Sequence, residues 1–124
     1  MTISQIEKLN IKFQADSLGL AELVPDQDIM GFSTHLKRMA KSIHESMEKL
    51  VSARSVKAFS IIENEINGEM DDLLFELDRL HDINCILKIK AIDRFLKGGY
   101  DLLSIYSMAY DHILKQKVKD EKIS

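Results

Sequence analysis

The chain carries four histidines, His35, His44, His81 and His112, and eight carboxylates crowded between residues 63 and 82. Helical bundles can bind paired metal ions between facing helices, using Glu-x-x-His pairs that put both ligands on one helix face. There is no Glu-x-x-His here, and the nearest approach, Asp78-x-x-His81, occurs once where such sites need it twice. No metal and no cofactor is expected. Glu63 and Glu65 lie two positions apart and so point to different faces of a helix, which makes them a poor acid and base pair. Cys85 is the only cysteine and cannot form an internal disulfide. Within "INCILKI" it reads as a buried thiol, since a nucleophile needs nearby cations or a helix start to lower its pKa.

The segment "LKGGYD", residues 96–101, places Lys97 ahead of Gly98 and Gly99. A phosphate cradle needs a longer Gly-spaced loop that follows a strand and opens a helix. Gly-x-Ser-x-Gly, Gly-Lys-Ser/Thr and Cys-x-x-Cys patterns are all missing from the sequence, so the chain is not expected to be an enzyme.

The elements that would position these residues are helical. At 124 residues, 45% hydrophobic and 30% charged, the chain suits one domain, 1–124, with a modest core and neither disordered nor membrane-spanning composition. A net charge of -3 gives no general attraction to phosphate backbones, so nucleic acid is not an expected partner. No run approaches the roughly 20 apolar residues of a span, and "MTISQIEKLN" does not resemble a cleavable signal. The default expectation is a cytoplasmic chain without a transmembrane segment.

One Pro and five Gly punctuate the sequence. "SQIE" reads as a capping box, Ser4 with Glu7, opening a short helix over about residues 4–16 with Ile6, Leu9 or Asn10, and Phe13 on one face. Gly19 and Pro25 then mark a boundary, with Asp26 or Asp28 as the next cap. Ile29, Phe32, Leu36, Met39, Ile43, Met47, Leu50 and Val51 form the stripe of a main helix over about 28–67. Whether "SARS", residues 52–55, breaks it is open, and Asn67-Gly68 is its expected stop. A second main helix over about 69–116 carries Met70, Leu73, Leu77, Leu80, Asn84, Leu87, Ala91 and Phe95, with a strand as the lesser reading of "LKIKAI". Across the glycines the series Ala91, Phe95, Gly98, Leu102, Ile105 and Ala109 keeps the helical phase. That favours a continuous but weakened helix, with a break at 98–99 as the alternative. Continuity would give an antiparallel helical hairpin, and a break a small four-helix bundle. Either is all-α.

Residues 36–57 hold six basic and two acidic residues, whereas residues 63–82 hold eight acidic and one basic. Antiparallel packing across a turn at Asn67-Gly68 would set these segments side by side, and two separately solvated faces are the plainer reading. Met39 and Met47 fall on the core stripe. A membrane-surface helix over 28–51, with Lys37, Arg38, Lys41 and Lys49 opposite apolar residues, lacks Trp and carries Glu45 and Glu48.

Two stretches resemble small type III secretion inner-rod proteins. "PDQDIMGF", residues 25–32, is similar to the Pro-then-Ile-x-x-Phe element ahead of their helices. "DLLFELDRLHDINCILKIKAIDRFLKGGYDLL", residues 72–103, resembles their C-terminal helical region. The resemblance covers about a third of the chain, and the sequence departs from it by running on for 21 residues past Leu103. It implies a non-enzymatic subunit, exported without a cleaved signal, that packs through helix-helix contacts beneath a needle filament. Leu73, Leu77, Leu80, Leu87, Phe95, Gly98 and Leu102 would then form the seam between subunits.

The leading expectation is therefore a structural or assembly protein with a protein partner or self-association, forming an oligomer or hetero-complex. The alternative is a small helical binding protein, such as an immunity protein, antitoxin or secretion chaperone. It would cover a basic partner with an acidic surface at Glu69, Asp71, Asp72 and Glu76.

Overall fold

Where apolar residues recur every three or four positions, a helix buries them along one stripe, and Leu36, Ala40, Ile43, Met47 and Leu50 are fully buried in this way. The computed structural model describes the backbone of residues 3–23 and 27–123, and the side chains of residues 4–16, 31 and 34–119. Four helices fill this length: α1 (Ile3–Leu23), α2 (Gln27–Ser52), α3 (Val56–Leu87) and α4 (Lys90–Ile123). Each packs on its neighbours in sequence, and α4 closes the ring against α1, making a four-helix bundle. Across the diagonal, α2 and α4 run parallel: Tyr106 reaches Ala40 and Lys117 reaches Val51, each link joining positions 66 apart.

The core is shared by all four helices, with Ile6 and Phe13 from α1, the α2 stripe, Phe59, Ile66, Leu73, Leu77 and Leu80 from α3, and Phe95, Leu102 and Tyr106 from α4. Phe13 and Phe95 stack with centroids 4.9 Å apart and tie α1 to α4.

The helix boundaries differ from the sequence expectations at four places. First, α1 continues through Gly19 to Leu23 where a stop near residue 16 is expected. Glycine inside a helix costs only about 1 kcal/mol, which a packed helix absorbs. Second, α1 begins at Ile3, so Ser4 lies inside it and does not cap it. The expected punctuation at Pro25 and the caps at Asp26 and Asp28 lie outside the described residues and side chains.

Third, the expected turn at Asn67-Gly68 is absent: α3 runs straight through it, because Phe59, Ile66, Leu73, Leu77, Leu80 and Asn84 hold one phase from end to end. The chain turns instead at residues 53–55. There Ser55, in extended conformation, caps α3 by accepting from the Ala58 amide at 3.1 Å. Lys117 closes the other side, its Nζ donating to the Val51 and Ala53 carbonyls at 2.8 Å each and neutralising the negative end of α2.

Fourth, "LKIKAI" is neither strand nor continuous helix. Lys88 adopts the left-handed conformation at φ 56 and ψ 45, and the chain reverses into α4. The buried Asn84 staples this turn. Its Oδ1 accepts from the Ile89 amide at 2.9 Å, its Nδ2 donates to the Ile89 carbonyl at 3.2 Å and to Asp93 Oδ1 at 2.7 Å, and its carbonyl accepts from the Lys88 amide at 2.8 Å. Through Gly98-Gly99 α4 is continuous, yet no long hairpin results, because the breaks at 53–55 and 88–89 supply the bundle's corners. The buried α4 phase is Ile92, Phe95, Leu96, Gly99, Leu102, Tyr106 and Ala109. The glycine at the close approach is therefore Gly99, where Gly98 is expected. A Cβ at Gly99 would sit 2.6 Å from Leu77 Cδ2 and 3.1 Å from Phe13 Cε2, whereas one at Gly98 would meet only Asp16 Oδ2 at 4.0 Å.

Candidate contact surface

The residues that could do chemistry are dispersed. His35, His81 and His112 are exposed on α2, α3 and α4, and the half-buried His44 is held on α2 by Glu48, Nε2 to Oε1 at 3.2 Å. Among the described residues no three His, Cys, Asp or Glu side chains gather as a metal site would require. Asp78 and His81 are one turn apart on α3, but Asp78 Oδ1 accepts from the Tyr100 hydroxyl at 2.6 Å and His81 Nδ1 lies 3.8 Å from Asp82 Oδ1. Cys85 is exposed, where a buried thiol is expected. The α3 phase turns Asn84 inward and so carries the next three residues outward, however apolar they are.

Polar groups inside the bundle serve its packing. The Ala40 carbonyl, in mid-α2, accepts both from Asn10 Nδ2 of α1 and from the Tyr106 hydroxyl of α4, each at 3.1 Å. Burial pushes the Tyr106 phenol above its ordinary range, and burial followed by the Asp78 hydrogen bond does the same to Tyr100. Ser46 Oγ donates to Glu69 Oε1 at 3.0 Å, linking α2 to α3.

That contact bears on the acidic surface. Glu69 is half-buried against α2, and Glu76 is half-buried and paired with Arg79 at 3.2 Å. Asp71 and Asp72 are exposed, though adjacent helical positions diverge by about 100°. The four acids therefore do not make one face. Within residues 63–82 the carboxylates presented to solvent are Glu65, Asp71, Asp72, Asp78 and Asp82.

The seam residues fare similarly. Leu73, Leu77, Leu80, Phe95 and Leu102 lie in the chain's own core, Gly98 is half-buried, and only Leu87 is exposed. A seam through the five core residues requires the bundle to open.

What α3 does present is a line that sequence reading passed over. Ile61 is 58% exposed, Phe75 61% and Ile86 83%. Ile61, Gly68 and Phe75 are spaced by sevens, so they share one side of the helix with a drift of roughly 20° per step. Arg79 stands over the Phe75 ring, 5.8 Å from its centroid. The available signal was phase: Ile61 and Phe75 fall off the Phe59, Ile66, Leu73 and Leu77 stripe, so a helix that buries those must expose these. No described helix is long and apolar enough to cross a membrane. No protein-family model matches the chain, and neither does any curated protein or solved structure.

Proposed function

We propose that the chain is a non-enzymatic structural or assembly protein that works by helix-to-helix contact, with the outward face of α3 as its contact surface. The observation that carries this reading is Phe75, a large aromatic 61% exposed in the middle of a helix whose other face fills the core. A lone exposed apolar side chain needs no explanation, but Phe75 shares its line with Ile61 and Ile86 and is flanked by charged residues, as an interface anchor is by its rim. The resemblance to secretion inner-rod subunits agrees with a helical assembly protein. The outer α3 face, in place of the buried leucines, is the surface such an assembly would use without opening the bundle. The alternative, a small binding protein that covers a basic partner, draws on the same helix through exposed Asp71, Asp72 and Asp78.

A photo-cross-linking amino acid at position 75, in the full chain expressed in the cells that make it, tests the reading. The expected result is a discrete adduct from position 75 and none from the same group at Lys41, on the outer face of α2. The adduct mass tells a second copy from another protein, and equal or absent labelling at both positions would sink the proposal.

A further inference from the structure

Asn67 and Gly68 are the pair that reads as a stop and does not act as one. Both are exposed in the middle of α3, Gly68 has no positive φ, and a Cβ there would meet nothing within 4 Å. No packing requirement explains the glycine, which costs about 1 kcal/mol relative to alanine in a helix. Asn64, Asn67 and Gly68 put three poor helix formers within five positions, so the intrinsic hold on the helix is weak here. Its continuity is supplied by Ile66 and Leu73, both fully buried on the inner side of α3.

Asparagine followed by glycine is also a reactive pair. In a freed chain the Gly68 backbone nitrogen attacks Asn67 Cγ: an N–Cγ bond forms, the Cγ–Nδ2 bond breaks, and ammonia leaves carrying the amide proton. The five-membered succinimide then takes up one water at either carbonyl and leaves aspartate or isoaspartate at position 67, with nothing oxidised or reduced. A side chain at position 68 would hinder the attack, and glycine has none. The other three asparagines precede Ile11, Glu65 and Cys85, all of which carry one. Inside a helix the reaction is blocked twice. The amide of residue 68 is committed to the carbonyl four residues back, and ring closure requires ψ of residue 67 to leave the helical range.

The products do not suit α3. Aspartate at position 67 stands four residues from Glu63 and four from Asp71, a spacing at which like charges destabilise a helix. Isoaspartate adds a methylene to the backbone and breaks the ladder. Either one disfavours return to the continuous helix.

We infer that Asn67-Gly68 is a latent self-modification site, locked by the continuity of α3, whose reaction with water on opening of the helix centre turns a reversible opening into a permanent weakening of that helix. It is independent of any partner on the outer face of α3.

The test incubates the full chain at mildly alkaline pH, native and in urea, and follows conversion at each asparagine by peptide mass spectrometry. In denaturing urea, Asn67 is expected to convert ahead of Asn10, Asn64 and Asn84, and Gly68→Ala to lose most of that conversion. The native chain should convert at position 67 at least about tenfold more slowly, in proportion to the fraction open, and faster as sub-denaturing urea is added. Product separated by anion exchange should melt at a lower temperature than the parent, and Asn67→Asp should reproduce the aspartate share of that loss. A native chain that converts as fast as the unfolded one, or that never converts, overturns the inference. So does a native rate unmoved by urea, or a product that melts with the parent.

Discussion

The adjacent glycines of α4 should respond to alanine with different signs or sharply different sizes. Either substitution gains about 1 kcal/mol of helix propensity. At Gly98 little opposes the gain, because the new methyl meets only Asp16 Oδ2 at 4.0 Å, an ordinary contact. At Gly99 the methyl would lie 2.6 Å and 3.1 Å from the two Leu77 methyls and 3.1 Å from Phe13 Cε2. Leu77 is fully buried and Phe13 is pinned by its stack on Phe95, so neither has room to retreat. Overpacking of that kind costs about 1 to 3 kcal/mol. Gly98→Ala is therefore expected to be about 1 kcal/mol more stable than the parent, and Gly99→Ala between neutral and about 2 kcal/mol less stable. With an unfolding entropy near 2.1 cal/mol/K per residue over 124 residues, 1 kcal/mol corresponds to about 4 °C in Tm. Urea unfolding with an unchanged m-value reads the difference directly. Leu77→Ala supplies the decisive background: with both methyls gone, Gly99→Ala should recover most of its overpacking cost, a coupling of about 1 to 3 kcal/mol. Equal shifts from the two glycines, or no coupling with Leu77, would refute the close-packing account of Gly99.

Four further outcomes are expected. Lys88→Gly should stabilise by about 0.5 to 1 kcal/mol in urea melts, since glycine takes the left-handed turn without the Cβ clash but loses more entropy on folding. Asn84→Ala should cost about 1 to 3 kcal/mol in urea melts, by leaving the Ile89 amide at the α3–α4 corner unpaired and removing the bond to Asp93. Gly68→Ala should raise stability by about 1 kcal/mol in urea melts, since the added methyl meets nothing within 4 Å. Above pH 10 the chain should lose stability. The Tyr106 phenol, ordinarily titrating at 10.0, is raised by burial and stays protonated in the fold, while the unfolded chain releases that proton. Stability from this group is thus complete below pH 10 and falls as pH rises, by about 1.4 kcal/mol per pH unit. Tyr106→Phe should make the decline measured by urea melts from pH 9 to 11 shallower, with the raised Tyr100 and Tyr110 phenols carrying the remainder, at a cost near 1 kcal/mol at neutral pH for the lost bond to Ala40.

The all-α class and most of the core were legible because burial follows period: Leu36, Ile43, Met47 and Leu50, then Leu73, Leu77 and Leu80, lie inside as their spacing requires. The corners were less legible because the strongest local punctuation was not where the chain turns. Asn67-Gly68 and Gly98-Gly99 are absorbed into helices, since a cost of about 1 kcal/mol per glycine is small beside a continuous buried stripe. The turn at 53–55 depends on Lys117, 64 residues from Ala53, which no local reading can supply. The turn at 88–89 depends on Asn84, whose side chain accepts from the Ile89 amide once the α3 ladder has ended at Lys88. An asparagine on an apolar stripe can be read as a tolerated polar core residue or as a staple, and only its proximity to a chain reversal decides which.

The same physics separates the two sets of contact residues. Leucines at perfect helical spacing are the ones a monomeric bundle consumes first, so a regular stripe is weak evidence of an interface. Leu73, Leu77 and Leu80 were the most regular of all, and they are fully buried in their own chain. Residues left over for a partner are those out of phase with that stripe, which periodicity alone passes over as noise. Ile61 and Phe75 are out of phase with the core but in phase with each other and with Gly68, two turns from each. A second, fainter period on the solvent side of α3 is what a helix carrying two contacts must contain, one for its own core and one for a neighbour.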